Sequence, residues 1–298
     1  MEVSGSTSSM VNHLKAMRVA LVIVSLFCCL TSCSTATNQQ SITAKSSLYD
    51  RVTRSGKIRC AYLIYTPGCM KNLKTGKMEG IGPEVLELAA QRLGLSLEWT
   101  EEVGLVSMIE GLQTGRYDML GSPIWANASR AKLVDFSKPL YFSPVCAFVR
   151  KGDGRFLSKL DSINSEKIKI ATMDGEMSAI IAKTNFPKAQ TVSLPQLSDI
   201  SQLLLTVSTA KADVTFVDPV EAYQFNKHNA SALANITRDR PVRVFANTFM
   251  FSRGETEFKD MLNTTLDELT NSGEIDSVIR KYEPFPNAYL GVAAPYKK

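Results

Sequence analysis

The distribution of apolar and polar positions predicts a chain that alternates strands and helices. From residue 57 onward, short apolar runs typical of buried strands are separated by amphipathic stretches typical of helices that cover a sheet. The predicted strands are 57–62, 95–99, 117–120, 145–149, 167–171, 191–194, 214–217 and 242–252. The predicted helices are 80–94, 108–115, 175–184, 199–209, 220–227, 256–272 and 274–282. This alternation predicts an α/β fold with right-handed crossovers.

The second half of the chain repeats the order of elements of the first half: strand, helix, strand, helix, strand, then Asp. A repeat of this kind predicts two lobes, each a mixed sheet with flanking helices. The expected boundaries are 48–143 plus 246–283 for the first lobe, 144–245 for the second, chain crossings near 141–144 and 244–248, and a C-terminal tail over 284–298.

The first 32 residues are predicted to be a leader. Lys15 and Arg18 precede an apolar run over 19–30, which is too short to span a hydrocarbon core of about 30 Å and fits a secretory signal peptide. The run ends in Leu-Thr-Ser-Cys33, which resembles a bacterial lipobox and predicts a lipid on Cys33. The alternative is a plain signal peptide with an incidental cysteine. Residues 33–47, rich in Ser, Thr and Gln, are predicted to be a flexible tether to the membrane.

The charge distribution argues against nucleic-acid binding. The 34 basic and 29 acidic residues give a formal charge of +5, but the basic residues are scattered singly and form no long run. Scattered charges are typical of a solvated surface.

Three cysteines remain once the leader and Cys33 are set aside: Cys60, Cys69 and Cys146. An odd number in an exported protein leaves at least one free thiol or an intermolecular bond. Cys60 and Cys146 lie in apolar strands and are expected to be buried thiols, and a Cys60–Cys69 disulfide stays open as an alternative. No metal site is expected from this spacing and the two histidines.

A cation lies close to the end of a predicted strand. Strand 117–120 is expected to end in a turn at Gly121 and Pro123, and Arg130 follows. Ligands of open α/β sheets bind outside the carboxyl ends of strands, and a guanidinium matches a carboxylate with two hydrogen bonds. Arg130 is therefore predicted to contact an anionic ligand group. The alternative is a surface Arg paired with Asp135 or solvated at a helix end.

The ordered set Asp118, Arg130, Asp135-Phe136-Ser137 and Pro139 resembles the type 2 periplasmic solute-binding proteins, in particular their amino-acid-binding branch. The resemblance covers residues 48–283. It implies a two-lobe type II fold with two hinge crossings and capture of a small polar solute, an amino acid or a related amine or carboxylate, between the lobes. It also implies delivery to an ABC importer, a monomeric protein at the extracytoplasmic membrane face, and no cofactor.

The resemblance assigns two residues to the ligand. Arg130 would bind its α-carboxylate, and Asp218 would bind its ammonium group. The alternative for Asp218 is a simple helix cap, because it directly precedes Pro219. Asp118 and Asp213 are expected to be structural.

Several positions depart from the family pattern. Trp125 and Asn127 stand where Thr or Ser is usual, and Glu176 stands where the family has a small hydroxyl residue at a helix N-terminus. Glu176 would repel an anion unless it points away or the ligand is cationic there; alternatively it is a favourable first-turn charge.

An aromatic residue that the family carries near Leu105 is also missing, so Tyr62, Tyr65 and Trp125 are candidates for the cavity wall or for the core. Aromatic rings with Glu176 and Asp218 can enclose a cation as well as an amino acid.

Three functions remain open from the sequence. The first is a binding protein for an ABC importer. The second is an enzyme resembling the cyclohexadienyl (arogenate/prephenate) dehydratases, with Glu176 as general acid. The third is a lipoprotein that senses a solute or docks a partner without transport.

Overall fold

The computed structural model describes residues 46–156, 159–230 and 232–292. The predicted leader, Cys33 and most of the predicted tether lie outside these residues, as do positions 293–298 of the predicted tail. The described residues belong to one compact unit. No helix within these three ranges is long and apolar enough to cross a membrane.

The regular elements follow the predicted alternation. The strands are β1 (Lys57–Tyr62), β2 (Met70–Lys71), β3 (Met78–Glu79), β4 (Ser96–Glu102), β5 (Met119–Trp125), β6 (Val134–Phe136), β7 (Tyr141–Arg150), β8 (Lys169–Met173), β9 (Gln190–Leu194), β10 (Val214–Val217), β11 (Leu233–Asn235) and β12 (Arg243–Ser252). The α-helices are α1 (Leu48–Ser55), α2 (Ile81–Arg92), α3 (Met108–Gln113), α4 (Ala128–Ala131), α5 (Met177–Asn185), α6 (Ile200–Ser208), α7 (Pro219–His228), α8 (Thr256–Asn271) and α9 (Glu274–Tyr282). A short 3-10 helix spans Leu160–Ile163.

A mixed sheet runs through the whole unit in the order β4-β1-β5-β12-β7-β10-β8-β9, with β6 paired to β12 and β11 paired to β7. Its two halves have the same layout. In one half β4, β1 and β5 are parallel and β12 is antiparallel to β5. In the other half β9, β8 and β10 are parallel and β7 is antiparallel to β10. We call these halves lobe 1 and lobe 2. The predicted mixed sheets with flanking helices are confirmed.

The long strands β7 and β12 join the lobes. They pair antiparallel from Tyr141 opposite Asn247 to Val145 opposite Arg243, over the segments predicted to be crossings. The side-chain amide of Asn247 donates a 2.9 Å hydrogen bond to the hydroxyl of Ser143 within this pairing, and both side chains are buried. The residue-level boundaries predicted for the lobes stay predictions.

An aspartate fixes the start of a parallel strand in each lobe, β1 in lobe 1 and β8 in lobe 2. The carboxylate of Asp118 accepts hydrogen bonds from the backbone N–H of Arg59, at 2.6 Å, and from its guanidinium. In lobe 2 the carboxylate of Asp213 accepts from the backbone N–H of Lys169, at 2.9 Å, and from Arg155. Both aspartates are held by contacts within their own lobes, as the structural role predicted for them requires.

The turn predicted at Gly121 and Pro123 is wrong, because β5 continues through both residues to Trp125. A Cβ on Gly121 would lie 2.5 Å from the ring of Trp99, so glycine is needed for the close approach of that ring. Pairing of β5 with β1 ends at Leu120, and the pairing with β12 shifts register nearby. Pro123 therefore lies where the missing N–H costs no hydrogen bond between strands.

Each lobe packs apolar clusters on both faces of its sheet, because successive strand residues such as Cys60 and Ala61, or Val145 and Cys146, belong to different clusters. In lobe 1, helices α2, α8 and α9 pack the largest buried cluster, which includes Phe249, Phe251 and Phe258. In lobe 2, separate clusters form around Phe216 and around Leu203. Large buried apolar side chains of this kind supply most of the stability of such a domain.

The cysteines within the described residues are Cys60, Cys69 and Cys146, and all three are buried and free. The alternative disulfide between Cys60 and Cys69 is therefore not formed. Burial raises the pKa of the Cys69 thiol to about 11, and it raises the pKa of Cys60 and Cys146 as well.

The first residues of the predicted tail pack against the strand that joins the lobes. Tyr289 is buried against Tyr141, with 4.7 Å between ring centroids, and Leu290 pairs with Phe142. The segment thereby brings a side chain into the region between the lobes.

Candidate functional site

A cavity of about 170 Å³ lies between the lobes. Lobe 1 contributes Tyr65, Trp125 and Arg130 to its wall, and lobe 2 contributes Glu176 and Asp218. These are five of the seven residues that the sequence assigned to the ligand. The remaining wall is mostly aliphatic, aromatic or thioether in character, so the charged groups are few.

The local structure of lobe 1 fixes Arg130. Asn127 caps the short helix α4, and its side-chain oxygen accepts a 2.9 Å hydrogen bond from the backbone N–H of Arg130. The Arg130 side chain is only 7% exposed, and its Nη1 donates a 3.2 Å hydrogen bond to the backbone oxygen of Trp125. Asn127 therefore positions Arg130 without lining the cavity itself.

The guanidinium of Arg130 is paired with Glu176 of lobe 2. Nη2 of Arg130 donates to Oε1 of Glu176 at 2.7 Å, and Nε2 of Gln196 donates to the same oxygen at 3.2 Å. The alternative pairing of Arg130 with Asp135 is wrong, since the carboxylate of Asp135 instead accepts from the backbone N–H of Gly254. Glu176 points into the cavity and not away from it.

Glu176 is not held in place by its own helix. It is the N-cap residue of α5, directly after Gly175, whose φ of +75° turns the chain sharply. Its side chain makes no capping hydrogen bond to α5. The hydroxyl of Ser178 accepts from the backbone N–H of Met173 and is used locally.

Asp218 combines its two predicted roles. Its carboxylate caps α7, accepting a 2.8 Å hydrogen bond from the N–H of Val220, and it also faces the cavity. Asp218 is only 8% exposed. Burial raises the pKa of Asp218 to about 6, and the hydrogen bonds from Val220 and Ser143 lower it in part.

Glu221 is a third carboxylic residue of the cavity, and it was not predicted from the sequence. It lies one helical turn after Asp218, so both side chains can share a face of α7. Burial, then the charges of Asp218 and Asp199, raise the pKa of Glu221 to about 8. Among the described residues neither Asp218 nor Glu221 has a cationic partner. The sequence signal for Glu221 is its position three residues after Asp218, which places both residues on the same face of a helix.

The predicted aromatic wall is formed in part. Tyr65 lines the cavity and donates from its hydroxyl to the oxygen of Pro123 at 2.7 Å. Trp125 lines it while stacked on Phe245, at 5.3 Å between ring centroids. Tyr62 lies elsewhere, edge-on to Trp99.

The wall also contains two tyrosines that the sequence analysis did not select, Tyr141 of β7 and Tyr289 of the C-terminal segment. They carry no motif, and only the packing of the C-terminal segment brings Tyr289 to the cavity.

The charges of the cavity are unbalanced. Among the described residues that line it, one is a cation, Arg130, and three have carboxyl groups, Glu176, Asp218 and Glu221; Arg130 is paired with the first of these three. The cavity is therefore complementary to a small molecule that carries a cationic group on an apolar body. No cluster of His, Cys, Asp or Glu suited to a metal ion occurs among the described residues.

Two α/β lobes joined by a pair of strands, with a cavity between them, define a solute-binding protein of the two-lobe class. Residues 58–285 match the family model of the bacterial extracellular solute-binding proteins, family 3, and the chain belongs to this family.

Individual relatives are distant in sequence. The L-cystine-binding protein TcyA of Bacillus subtilis is 23% identical over 277 residues, which cover 90% of this chain and 97% of the relative. The crystal structure of the ancestral amino acid-binding protein AncCDT-1, a precursor of cyclohexadienyl dehydratase, aligns with a TM-score of 0.65 at 23% identity, over 80% of this chain and 99% of the other. The crystal structure of the substrate binding protein of an amino acid ABC transporter aligns with a TM-score of 0.61 at 24% identity, over 76% of this chain and 98% of the other.

Proposed function

We propose that this protein captures a small polar solute, an amino acid or a related amine or carboxylate, between its lobes and delivers it to an ABC importer. The observation that carries the proposal is the cavity between the lobes, whose charged side chains are Arg130, paired with Glu176, and the acidic residues Asp218 and Glu221. Membership of the solute-binding family supports the same function.

Binding would be coupled to the arrangement of the lobes. The cavity takes residues from both lobes, so a ligand inside it would touch both at once and would lose the contacts to one of them when the lobes separate. A ligand that binds the closed arrangement better shifts the population toward it. An importer can then distinguish loaded from empty protein by the closed surface.

A dehydratase-like activity is the second candidate, because AncCDT-1 is described as a precursor of such an enzyme. In that activity Glu176 would have to give a proton to a leaving group. Here its Oε1 accepts hydrogen bonds from Arg130 and Gln196, and this engagement favours a binding role.

We also propose that the N-terminal segment determines where the protein is located. A leader over 1–32 would direct export, and a lipid on Cys33 would hold the monomeric protein at the outer face of a membrane through the tether. Cys33→Ala is expected to move the protein from the membrane fraction to the soluble fraction of the cell envelope. Retention of the variant in the membrane fraction would argue against lipid attachment at this residue.

The binding function is tested by thermal unfolding of the purified protein against amino acids, amines, organic acids and prephenate. A ligand at one hundred times its Kd adds about 2.7 kcal/mol, which raises the Tm of a protein of this size by about 5–10 °C. Asp218→Ala is expected to lose the shift, and Asp260→Ala, on the exposed face of α8, is expected to keep it. Absence of any shift across the first three classes contradicts a solute-binding function, and turnover of prephenate supports the dehydratase.

A further inference from the structure

Arg130 already holds a carboxylate, and this carboxylate belongs to the protein. The side chains of Arg130 and Glu176 are 7% and 13% exposed, and Nη2 lies 2.7 Å from Oε1. An arginine at a cleft between two lobes is suited to bind the carboxylate of a ligand. In this protein Nη2 of Arg130 already donates a hydrogen bond to Glu176, and Nη1 donates one to the backbone oxygen of Trp125.

The position of Glu176 is not explained by its helix. An N-cap residue usually contributes a short side chain that accepts a hydrogen bond from its own helix, and Glu176 makes none. Its carboxylate instead extends across the cavity, where Arg130 and Gln196 both donate to Oε1. The contacts of this residue are therefore those of a bound carboxylate group.

Two further carboxyl groups of the cavity wall lack a cationic partner among the described residues. They belong to Asp218 and Glu221, which both line the cavity from the first turn of α7. Asp218 is buried and Glu221 is half-buried, and a carboxylate without a partner in such surroundings is costly, so a cationic group placed between these two residues would stabilise both.

Much of the remaining cavity wall is apolar. Met173, Met177, Leu203 and Phe216 of lobe 2 form much of this wall. The cavity volume of about 170 Å³ is close to that of an apolar cavity of about 150 Å³ that holds one benzene molecule. The apolar body of a ligand is thus limited to a small ring or a short branched chain.

We propose that the ligand is a small apolar amine that lacks the α-carboxylate of an amino acid, with Glu176 taking the place of that carboxylate on Arg130. The proposal rests on the solute-binding function proposed above and names the class of solute. The ammonium group lies between Asp218 and Glu221, and the apolar body lies against Met173 and Leu203. Glu176 is then the residue that determines specificity against amino acids.

An α-amino acid meets a physical obstacle in this cavity. Its carboxylate must either displace Glu176 from Arg130, which leaves a buried carboxylate without a cation, or lie beside the Glu176 carboxylate and be repelled by it. Loss of one charge-assisted hydrogen bond weakens binding by about tenfold or more.

The test compares ligand pairs that differ only in the carboxylate: phenylalanine with phenethylamine, and leucine with isoamylamine. Dissociation constants are measured by calorimetry for the wild-type protein, for Glu176→Ser and for Glu166→Ser, an exposed glutamate of the same lobe that serves as a matched control. The wild type and the control are expected to bind each amine at least about tenfold more tightly than its amino acid. Glu176→Ser frees Arg130 and is expected to reverse or abolish this preference.

The wild-type comparison needs no variant, so it decides the proposal even if Glu176→Ser does not fold. Tighter binding of the amino acid than of its amine by the wild type overturns the assignment of the ligand and leaves the solute-binding function in place. An unchanged preference in folded Glu176→Ser overturns the role of Glu176. Absence of binding of every amine and amino acid to all three proteins contradicts the solute-binding function itself, and the assignment of the ligand with it.

Discussion

Arg130 of lobe 1 and Glu176 of lobe 2 form a hydrogen-bonded ion pair of 2.7 Å across the cavity. The two residues are 46 positions apart, and the contact joins the two lobes. A pair buried to this degree is held by electrostatic attraction that water screens only weakly. Each partner alone would be a charge in an apolar cavity, so the two residues are expected to depend on each other for their contribution to stability.

The first prediction concerns this dependence. Arg130→Met leaves the Glu176 carboxylate without its cation and is expected to lower the free energy of unfolding by about 3–5 kcal/mol. Adding Glu176→Leu to the same chain removes the stranded charge and is expected to recover most of that loss. Urea unfolding of the wild type, Arg130→Met, Glu176→Leu and the double variant gives the coupling energy.

The exposed pair of Lys138 and Asp267 provides the control for this cycle, since both side chains are about half exposed. Lys138→Met is expected to change the free energy of unfolding by less than about 1 kcal/mol. A double variant at 130 and 176 that is as unstable as Arg130→Met would contradict the predicted coupling.

The second prediction concerns the stability of the empty protein as a function of pH. Burial raises the pKa of Asp218 from 3.8 to about 6. Because the folded protein binds this proton more tightly than the unfolded chain, the stabilisation is present below pH 4 and is lost as the pH rises through 6. Asp218→Asn removes this loss while keeping a good helix cap. Relative to the wild type it is expected to gain about 3 kcal/mol between pH 4 and pH 8.

Urea unfolding of the wild type and Asp218→Asn at pH 4, 6 and 8 measures this difference. Asp260→Asn, at the exposed surface of α8, should follow the wild type at each pH. A difference between Asp218→Asn and the wild type that does not grow with pH would show that Asp218 is not titrating in the folded protein.

The third prediction concerns protons released on binding. Burial and the charges of Asp218 and Asp199 raise the pKa of Glu221 to about 8, so in the empty cavity Glu221 is mostly protonated at pH 7. A cation beside it favours the carboxylate and lowers its pKa, so an amine is expected to displace about one proton. Calorimetry in phosphate and in Tris, whose ionisation enthalpies differ, measures that number.

Glu221→Gln is expected to bind with less proton release, and the enthalpies in the two buffers should then nearly agree. Equal enthalpies for the wild type in both buffers at pH 7 would mean that the ligand does not approach Glu221. For the wild type, amine affinity is also expected to fall as the pH is lowered below 6, because Asp218 then becomes protonated.

The fourth prediction separates structural aspartates from those of the cavity. Asp118→Ala breaks the anchoring of β1 through Arg59 and is expected to lower the free energy of unfolding by about 2–4 kcal/mol with little change in ligand Kd. Asp213→Ala should show the same pattern with a smaller loss, because its carboxylate is 18% exposed against 2% for Asp118. A large loss of affinity in either variant, measured where the protein is folded, would place that aspartate in the ligand site.

Much of the fold follows from local patterns in the sequence. Strands β1 and β10 and helix α9 have the predicted ends, because apolar runs, Gly and Pro mark them without help from tertiary contacts. Strand β5 was predicted too short, since Gly121 and Pro123 are usually signs of a turn. Here the glycine admits the ring of Trp99, and the proline lies at an irregular part of the pairing with β12. Neither the approach of Trp99 nor the irregular pairing with β12 can be read from the sequence around these two residues.

The candidate site was predictable one residue at a time, but its contacts were not. Arg130, Glu176 and Asp218 were each selected from their places in the resemblance to the solute-binding family, and all three line the cavity. Their partners depend on how the lobes meet, so the sequence left open whether Glu176 points away from the ligand or toward it. Tyr289 illustrates the same limit, because only the packing of the C-terminal segment against Tyr141 brings it to the cavity.

A crystal structure of the protein with the ligand that binds it most tightly shows where the ammonium group lies and what Arg130 holds. We expect density for the ligand between the lobes, with its nitrogen within hydrogen-bonding distance of Asp218 and Glu221. We also expect that Nη2 of Arg130 still donates to Oε1 of Glu176. A ligand carboxylate bound to Arg130, with Glu176 turned away from the cavity, would contradict the assignment of the ligand.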